Sequence, residues 1–368
     1  MSDEPERLDI YRTAIAIRGF EHAAASRELS EAVVVRLTLR DGRVGWGETL
    51  PREYVTGETL DSVVKDLRNL HWPAYCDGCG ALPERDGERI VNAAACALEL
   101  AHLDATNGYK AVTTGKRIAA RASGVLGSSD PARTDKRLRL MRWFGLRDFK
   151  LKLGLGDDVD AANLRVVQRR LGGAIEAQKC TLRVDVNGGW DAATTPERID
   201  ELSHRGVCVV EQPASLSAGE MVELAAKCLL PVMADETLLT HDDAEVLLGD
   251  IGRVWWNIRI SKNGGYGSSL KLAKLAASRG VRFTVGCMVG ESGLLSAAQL
   301  RLLQAGPCPM FVEGNFGKFL LKRNITSPSL RFGYGGKLKA PAGRSLGVSV
   351  PDRMLAKLAK LVVSIPAR

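Results

Sequence analysis

Asp148-Phe149-Lys150-Leu151-Lys152-Leu153 is a short β-rich run, and a helix-length amphipathic stretch separates it from a second such run that begins at Thr181. The same alternation extends in both directions. Upstream lies Ala119–Val125; downstream lie Thr181–Val186, Val207–Glu211, Pro231–Ala234, Val254–Ile260, Val281–Val285 and Met310–Val312. Runs spaced by roughly 25–30 residues, with helices in most gaps, predict a parallel sheet. Eight such units suit a barrel, whose typical size is ~250 residues. An open doubly wound sheet usually carries a glycine-rich phosphate loop after its first strand, and Ser123-Gly124-Val125-Leu126-Gly127 does not fit that fingerprint.

The segment before the barrel has a different grain. Ala32–Leu39 is apolar and β-branched, Arg40-Asp41-Gly42-Arg43 is a turn built on Asp-Gly, and Val44-Gly45-Trp46-Gly47-Glu48 resumes the strand, which predicts a hairpin. Helical periodicity follows over Leu60–Leu70 and Glu88–Thr106. The expected organisation is an α+β domain over residues 1–115, a barrel over 116–322, and a segment 323–368 that returns to the first domain.

Bulk composition narrows the function classes. The chain has 368 residues, 45% hydrophobic and 26% charged, which is ordinary for a globular protein of about two domains at ~150 residues each. The formal net charge is +8, but the basic residues are scattered, with no block and no aromatic interleaving, so nucleic acid is not the expected partner. A basic surface can also draw in an anionic substrate. No run approaches the ~18 apolar residues of a membrane span. With the polar start Met1–Arg7 a secretory signal is not expected, and the expected compartment is the cytoplasm. In that setting the eight cysteines read as free thiols. Cys76-Asp77-Gly78-Cys79 has no second ligand pair nearby and is expected to be inert.

Barrel active sites lie at the C-terminal ends of the strands. There the second strand carries Lys150-Leu151-Lys152, the third Asp185-Val186-Asn187, the fourth Glu211-Gln212-Pro213 and the fifth Asp235-Glu236. The sixth runs into Ser261-Lys262-Asn263-Gly264-Gly265. Asp185, Glu211 and Asp235 thus reach one rim from successive strands. Hard oxygen donors without His or Cys suit Mg²⁺, with Mn²⁺ as an acceptable substitute, and disfavour zinc. Lysines flank the acids on strands two and six, on opposite sides of the mouth. A lysine kept neutral by burial and a nearby dication can act as a general base. The metal would stabilise the enediolate left when a carbon next to a carboxylate loses its proton.

At these residues the chain resembles the enolase superfamily, and more closely its muconate lactonizing enzyme subgroup. The motifs just named, together with Val44–Glu48 and Tyr54-Val55-Thr56-Gly57-Glu58, carry the likeness over nearly the whole chain. The family is known for a Lys or His base with one or two Mg²⁺ ions. The resemblance implies an α/β fold, a modified TIM-type (β/α)7β barrel with an α+β capping domain. It implies Asp185, Glu211 and Asp235 as Mg²⁺ ligands and Lys152 and Lys262 as the acid/base pair. Lys150 would lend charge toward the substrate carboxylate, with Asn187 and Glu236 behind the ligands. Capping loops around Gly19–Arg27 and Pro51–Thr56 would close over the mouth. Candidate substrate contacts are Arg27, Tyr54, Thr56, Cys287, Met288, Glu291, Glu313 and Asn315.

The mandelate racemase branch uses a histidine on the seventh strand. The five histidines here are at 22, 71, 102, 204 and 241, so the lysine-pair branch is preferred. That branch racemises acylated amino acids, epimerises dipeptides, cycloisomerises muconates or dehydrates to o-succinylbenzoate. Well-known dipeptide epimerases carry Asp-x-Asp on the eighth strand, where this chain has Glu313-Gly314-Asn315. The expectation is a racemase, epimerase or cycloisomerase of a small-molecule carboxylate, working as a homo-oligomer. A dehydratase and a non-catalytic binding protein are the alternatives.

Overall fold

The computed structural model describes residues 3–22, 25–78, 82–111, 118–341, 343 and 345–367, without the side chains of 19–22, 25–27 and 110–111. The Arg27 side chain, residues 23–24 of the expected Gly19–Arg27 loop and Cys79 therefore lie outside the described residues, and the rest of that segment is paired strand; Cys76 is half-buried.

Pro5–His22 and Ala25–Leu39 form a long antiparallel pair, and Val44–Thr49 adds to its far side through the Asp41-Gly42 turn. Ala359–Pro366 pairs antiparallel with the other edge of the first strand, so both chain ends share this four-stranded sheet. The sheet has an apolar face, with Leu8, Ile10, Val33, Val35 and Leu37 packed on Val63, Leu67, Ala93, Ala97 and Ala101. Alanines on the helix Asn92–Ala105 allow that close approach. The helix starts later than its periodicity suggests. Asp86-Gly87 makes a turn, and Arg89–Ile90 pairs with Arg85–Asp86 before the helix begins.

The second sheet has eight parallel strands: Gly124–Leu126, Asp148–Lys152, Thr181–Asp185, Val207–Glu211, Val232–Ala234, Val254–Ile258, Phe283–Val285 and Phe311–Val312. A helix follows each of the first seven. The ring closes through a parallel bridge between Ala122 and Val312, where Ser123 N donates to Val312 O at 2.8 Å. The first strand starts later than the predicted run, because Arg121 bridges Lys337 and Ala122 N donates to Gly336 O, in the C-terminal segment.

Period-two alternation sorts the strand side chains. Phe149, Leu151, Leu182, Val184, Val210, Val232, Trp256 and Ile258 belong to the large core shared with the helices. Val209, Met233, Trp255 and Phe311 form a separate plug inside the ring. The Arg183 guanidinium lies 4.2 Å from the centroid of the Phe311 ring. The plug closes one end of the barrel, and the polar inward residues lie above it.

Polar groups dock the cap sheet on the barrel. Glu48, at the end of Val44–Thr49, accepts from Ser292 N at 3.0 Å, Ser292 Oγ at 2.7 Å and Leu295 N at 3.2 Å, and so caps the helix Gly293–Ala305. Asn92 Nδ2 donates to Leu239 O and Lys262 O at 2.8 and 2.9 Å. Glu48→Ala leaves buried donors at that helix start without an acceptor. It should cost about 1–3 kcal/mol of folding stability, read as a lower midpoint in urea unfolding with an unchanged slope.

Candidate active site

The inward positions above the plug hold ions. On the second strand Lys150 and Lys152 point into the ring while Phe149 and Leu151 point out. Asp185, Glu211 and Asp235, from the next three strands, are fully buried. Lys150 Nζ stands 2.9 Å from Asp185 Oδ2, 3.1 Å from Glu211 Oε1 and 2.7 Å from Glu313 Oε2. Its three N–H groups are therefore taken by three carboxylates. Burial alone would lower its pKa, but the charges of Asp185, Glu211 and Glu313 outweigh that and raise it well above the usual lysine range. Lys150 can lend charge to a substrate but has no free donor to offer.

Lys152 Nζ donates to Asp185 Oδ2 at 2.6 Å and Asn187 Oδ1 at 2.7 Å. Asn187 Nδ2 in turn donates to Glu236 Oε1 at 3.1 Å. Glu236 is pushed up to about 7, by burial first and then by Asp235. Glu211 is pushed up to about 8, by burial and the neighbouring Asp185, against the pull of Lys150. Asp185 moves down, because Lys150 and Lys152 outweigh its burial.

Lys262 does not take the place expected for it. Its Nζ donates to the carbonyls of Asp235 at 2.5 Å and Asn257 at 2.9 Å and stands 3.1 Å from Asp235 Oδ1. The residue is buried and does not line the cavity. By this point the chain has left the sixth strand. Arg259 N donates to Asn263 Oδ1 at 2.9 Å, and Asn263 Nδ2 donates to Leu238 O at 2.9 Å, which folds Ser261–Gly265 into a turn behind the strand ends. The inward residue beyond the sixth strand is Arg259. It reaches the Asp235 carboxylate and lies 3.4 Å from Glu211 Oε1. Alternation along Val254–Ile258 carries the signal, since Trp255, Asn257 and Arg259 share one face. Asn257 also went unnoticed in the sequence; its Nδ2 donates to Glu211 Oε1 at 2.8 Å. So did the role of Gln212, whose Oε1 accepts from Asp235 N at 2.9 Å and Thr237 N at 3.2 Å and fixes the end of the fifth strand.

A cavity of about 520 Å³ opens over this layer. Lys150, Lys152, Arg259, Cys287 and Glu313 lie in its wall, with Trp143, Phe144, Phe316, Phe319 and Phe332 along an apolar side. Met288, Glu291 and Asn315 line a narrower cleft beside it. Glu291 is pushed up to about 8 by burial and accepts from Met288 N. Tyr54 and Thr56 line neither space: Tyr54 is at the surface, and Thr56 Oγ1 accepts from Glu58 N.

A divalent cation can be tested against the acids. The donor chemistry fits, with three buried carboxylates and no soft ligand. As they stand, Lys150 bridges Asp185 to Glu211 and Arg259 bridges Glu211 to Asp235. Among the described residues, no three acidic, His or Cys side chains form a preassembled cluster. For these carboxylates to meet on one ion, Lys150 and Arg259 would have to leave their places between them.

Residues 134–354 match the family described as enolase C-terminal domain-like. The chain is 26% identical over 315 residues to an L-amino acid-D/L-Glu epimerase of Francisella philomiragia subsp. philomiragia, covering 81% of this chain and 87% of that one. It is 25% identical to muconate cycloisomerase 1 of Acinetobacter baylyi, covering 93% and 95%. Among solved structures, the N-succinyl Arg/Lys racemase of Bacillus cereus superposes with a TM-score of 0.85 at 22% identity, over 99% of this chain and 100% of that one. The dipeptide epimerase of Enterococcus faecalis, complexed with Mg and L-Leu-L-Tyr, does so at 0.79 and 21% identity, over 94% and 99%. The chain belongs to the enolase C-terminal domain-like family, within the enolase superfamily.

Lys262 holds Asp235 and closes the turn, so its loss should show in folding before chemistry. Lys262→Met leaves a buried carboxylate without that partner and should cost about 3–5 kcal/mol, measured by urea unfolding.

Proposed function

We propose that this protein is an isomerase of the enolase superfamily that exchanges a proton on the carbon next to a substrate carboxylate, with Lys152 as the base. The observation that carries this is Lys152 itself. It lines a large cavity, and its amine is oriented by Asp185 and Asn187. Relatives named as epimerases and cycloisomerases support the reaction class. The aromatic wall of the cavity favours an acid with a sizeable apolar group.

In this reading the substrate carboxylate enters a layer of cations, and the apolar wall excludes water from the reacting carbon. Lys152 takes the proton as a neutral amine and returns it as an ammonium. Lys150 stays charged and stabilises the negative charge that builds on the carboxylate. Asp185, Glu211 and Asp235 would hold Mg²⁺, which supplies Lewis-acid stabilisation of the enediolate.

Two measurements test this reading. Lys152→Ala should lower kcat/KM for the turned-over acid by about 10²–10⁴-fold, the usual loss on removing a positioned base. A loss below tenfold would remove Lys152 from the chemistry. Independently of turnover, Mg²⁺ should give a saturable heat in titration calorimetry that Asp235→Asn weakens. Equal affinity in the two proteins would move the metal elsewhere.

A further inference from the structure

Lys152 and Arg259 come from the second and sixth barrel strands, on opposite sides of a ring of eight, and both line the same cavity. The fold makes room for each. A Cβ on Gly127, whose φ is +142°, would lie 2.6 Å from the Lys152 Cβ. A Cβ on Gly286 would meet Asn257 Oδ1 at 2.3 Å and the Arg259 Cγ at 3.1 Å. Lys262, the other candidate amine, has its donors spent on two carbonyls and Asp235.

A guanidinium is not deprotonated in a protein, so Arg259 cannot serve as a base. The remaining acid–base groups in the described wall are engaged or unsuited. Glu313 is paired with Lys150 and, through Oε1, with Arg183 at 3.0 Å. Cys287 is a half-buried thiol, pushed well above its usual range by desolvation. Arg18 and Arg137 are guanidinium groups, and Lys150 is held by three carboxylates. Arg259 also has capacity left over. Its buried Nε has no partner, and Nη1 has only the Met288 sulfur at 3.8 Å. Two donors on the far side of the cavity thus await an acceptor.

We infer that the proton chemistry is confined to one face: Lys152 removes and delivers the proton, and Arg259 binds an anionic oxygen of the substrate on the opposite face. This rests on the proposed role of Lys152 and narrows the reaction. Inversion at carbon needs a proton donor on the second face, which a guanidinium does not supply. Cycloisomerisation and loss of water do not; the open Arg259 donors, which call for a second anionic group on the substrate, favour the first. A carboxylate oxygen adds to a carbon–carbon double bond conjugated with a second carboxylate, and one C–O bond forms. The π electrons move into an enediolate, and the Lys152 ammonium protonates the adjacent carbon. The neutral lysine regains its proton from water. The substrate class is an unsaturated dicarboxylic acid or its lactone, with one anionic group against Arg259.

The test uses the full chain with Mg²⁺ in D₂O, followed by NMR, with muconolactone and both antipodes of N-succinyl-lysine as probes. Deuterium is expected on one face only, with no interconversion of antipodes. Wild-type enzyme that interconverts the antipodes with deuterium uptake overturns the inference. Arg259→Lys puts an amine on the second face and should open exchange of the opposite antipode. If that variant melts like wild type yet exchanges the same face only, the placement of Arg259 is wrong. If no probe exchanges with wild type, the proposed role of Lys152 fails. The geometry is then judged by reductive methylation with formaldehyde and borane, read by peptide mass spectrometry. Lys152 should be methylated several-fold faster than Lys262, and equal or inverted rates overturn the inference whatever the exchange gives.

Discussion

Three carboxylates on successive strand ends cannot share a buried rim unless cations neutralise them, and here two side chains do so pairwise: Lys150 joins Asp185 to Glu211, and Arg259 joins Glu211 to Asp235. Asp185, Glu211, Asp235, Glu236 and Glu313 face Lys150, Lys152, Arg183, Arg259 and Lys262. Burial of unpaired charge costs several kcal/mol per ion, so each member depends on the others. In the proposed reading, a divalent cation would have to arrive with compensating negative charge or displace a cation. A substrate carboxylate would supply such charge and so couple metal to substrate binding in the same layer.

The rest of the barrel serves that layer. The apolar plug of Val209, Met233, Trp255 and Phe311 keeps water from below, and a drier environment strengthens each ion pair above it. Gln212 ties the fourth strand end to Asp235 N, Asn257 holds Glu211, and Asn263 fixes the turn that starts at Arg259. Groups outside the cavity wall thereby fix where the Asp235 and Glu211 carboxylates sit beneath it. The helix packed on the cap sheet joins the same frame through Asn92, which reaches the Lys262 carbonyl.

Much of this was legible in the sequence, because β/α alternation and strand-end charges are local signals. The lysines of the second strand, the three acids and the cap hairpin fall where periodicity puts them. The first barrel strand and the helix before Thr106 were displaced by pairings with distant partners, Lys337 for one and the Arg85–Asp86 hairpin for the other, and propensity does not report those. Lys262 was misplaced for a different reason. It stands among polar and glycine residues just after a strand, where no local signal marks that the chain has already entered the turn. Counting by twos from Trp255 gives Asn257 and Arg259, the residues that do face the interior.

That distinction bears on the chemistry because arginine and lysine differ in what they can do at one position. Lysine is a compact ammonium that can shed its proton when buried, whereas arginine is a fixed charge with a planar fork. In a pocket where the two sides of a carbon are addressed by residues on opposite strands, replacing one amine by a guanidinium changes the available reaction while leaving the charge, the fold and the balance of the buried network intact. Overall likeness to epimerases and cycloisomerases at 25–26% identity does not decide between them. The residue beyond the sixth strand bears on that choice more directly, since it sets whether the second face of the substrate meets a proton carrier or a permanent cation.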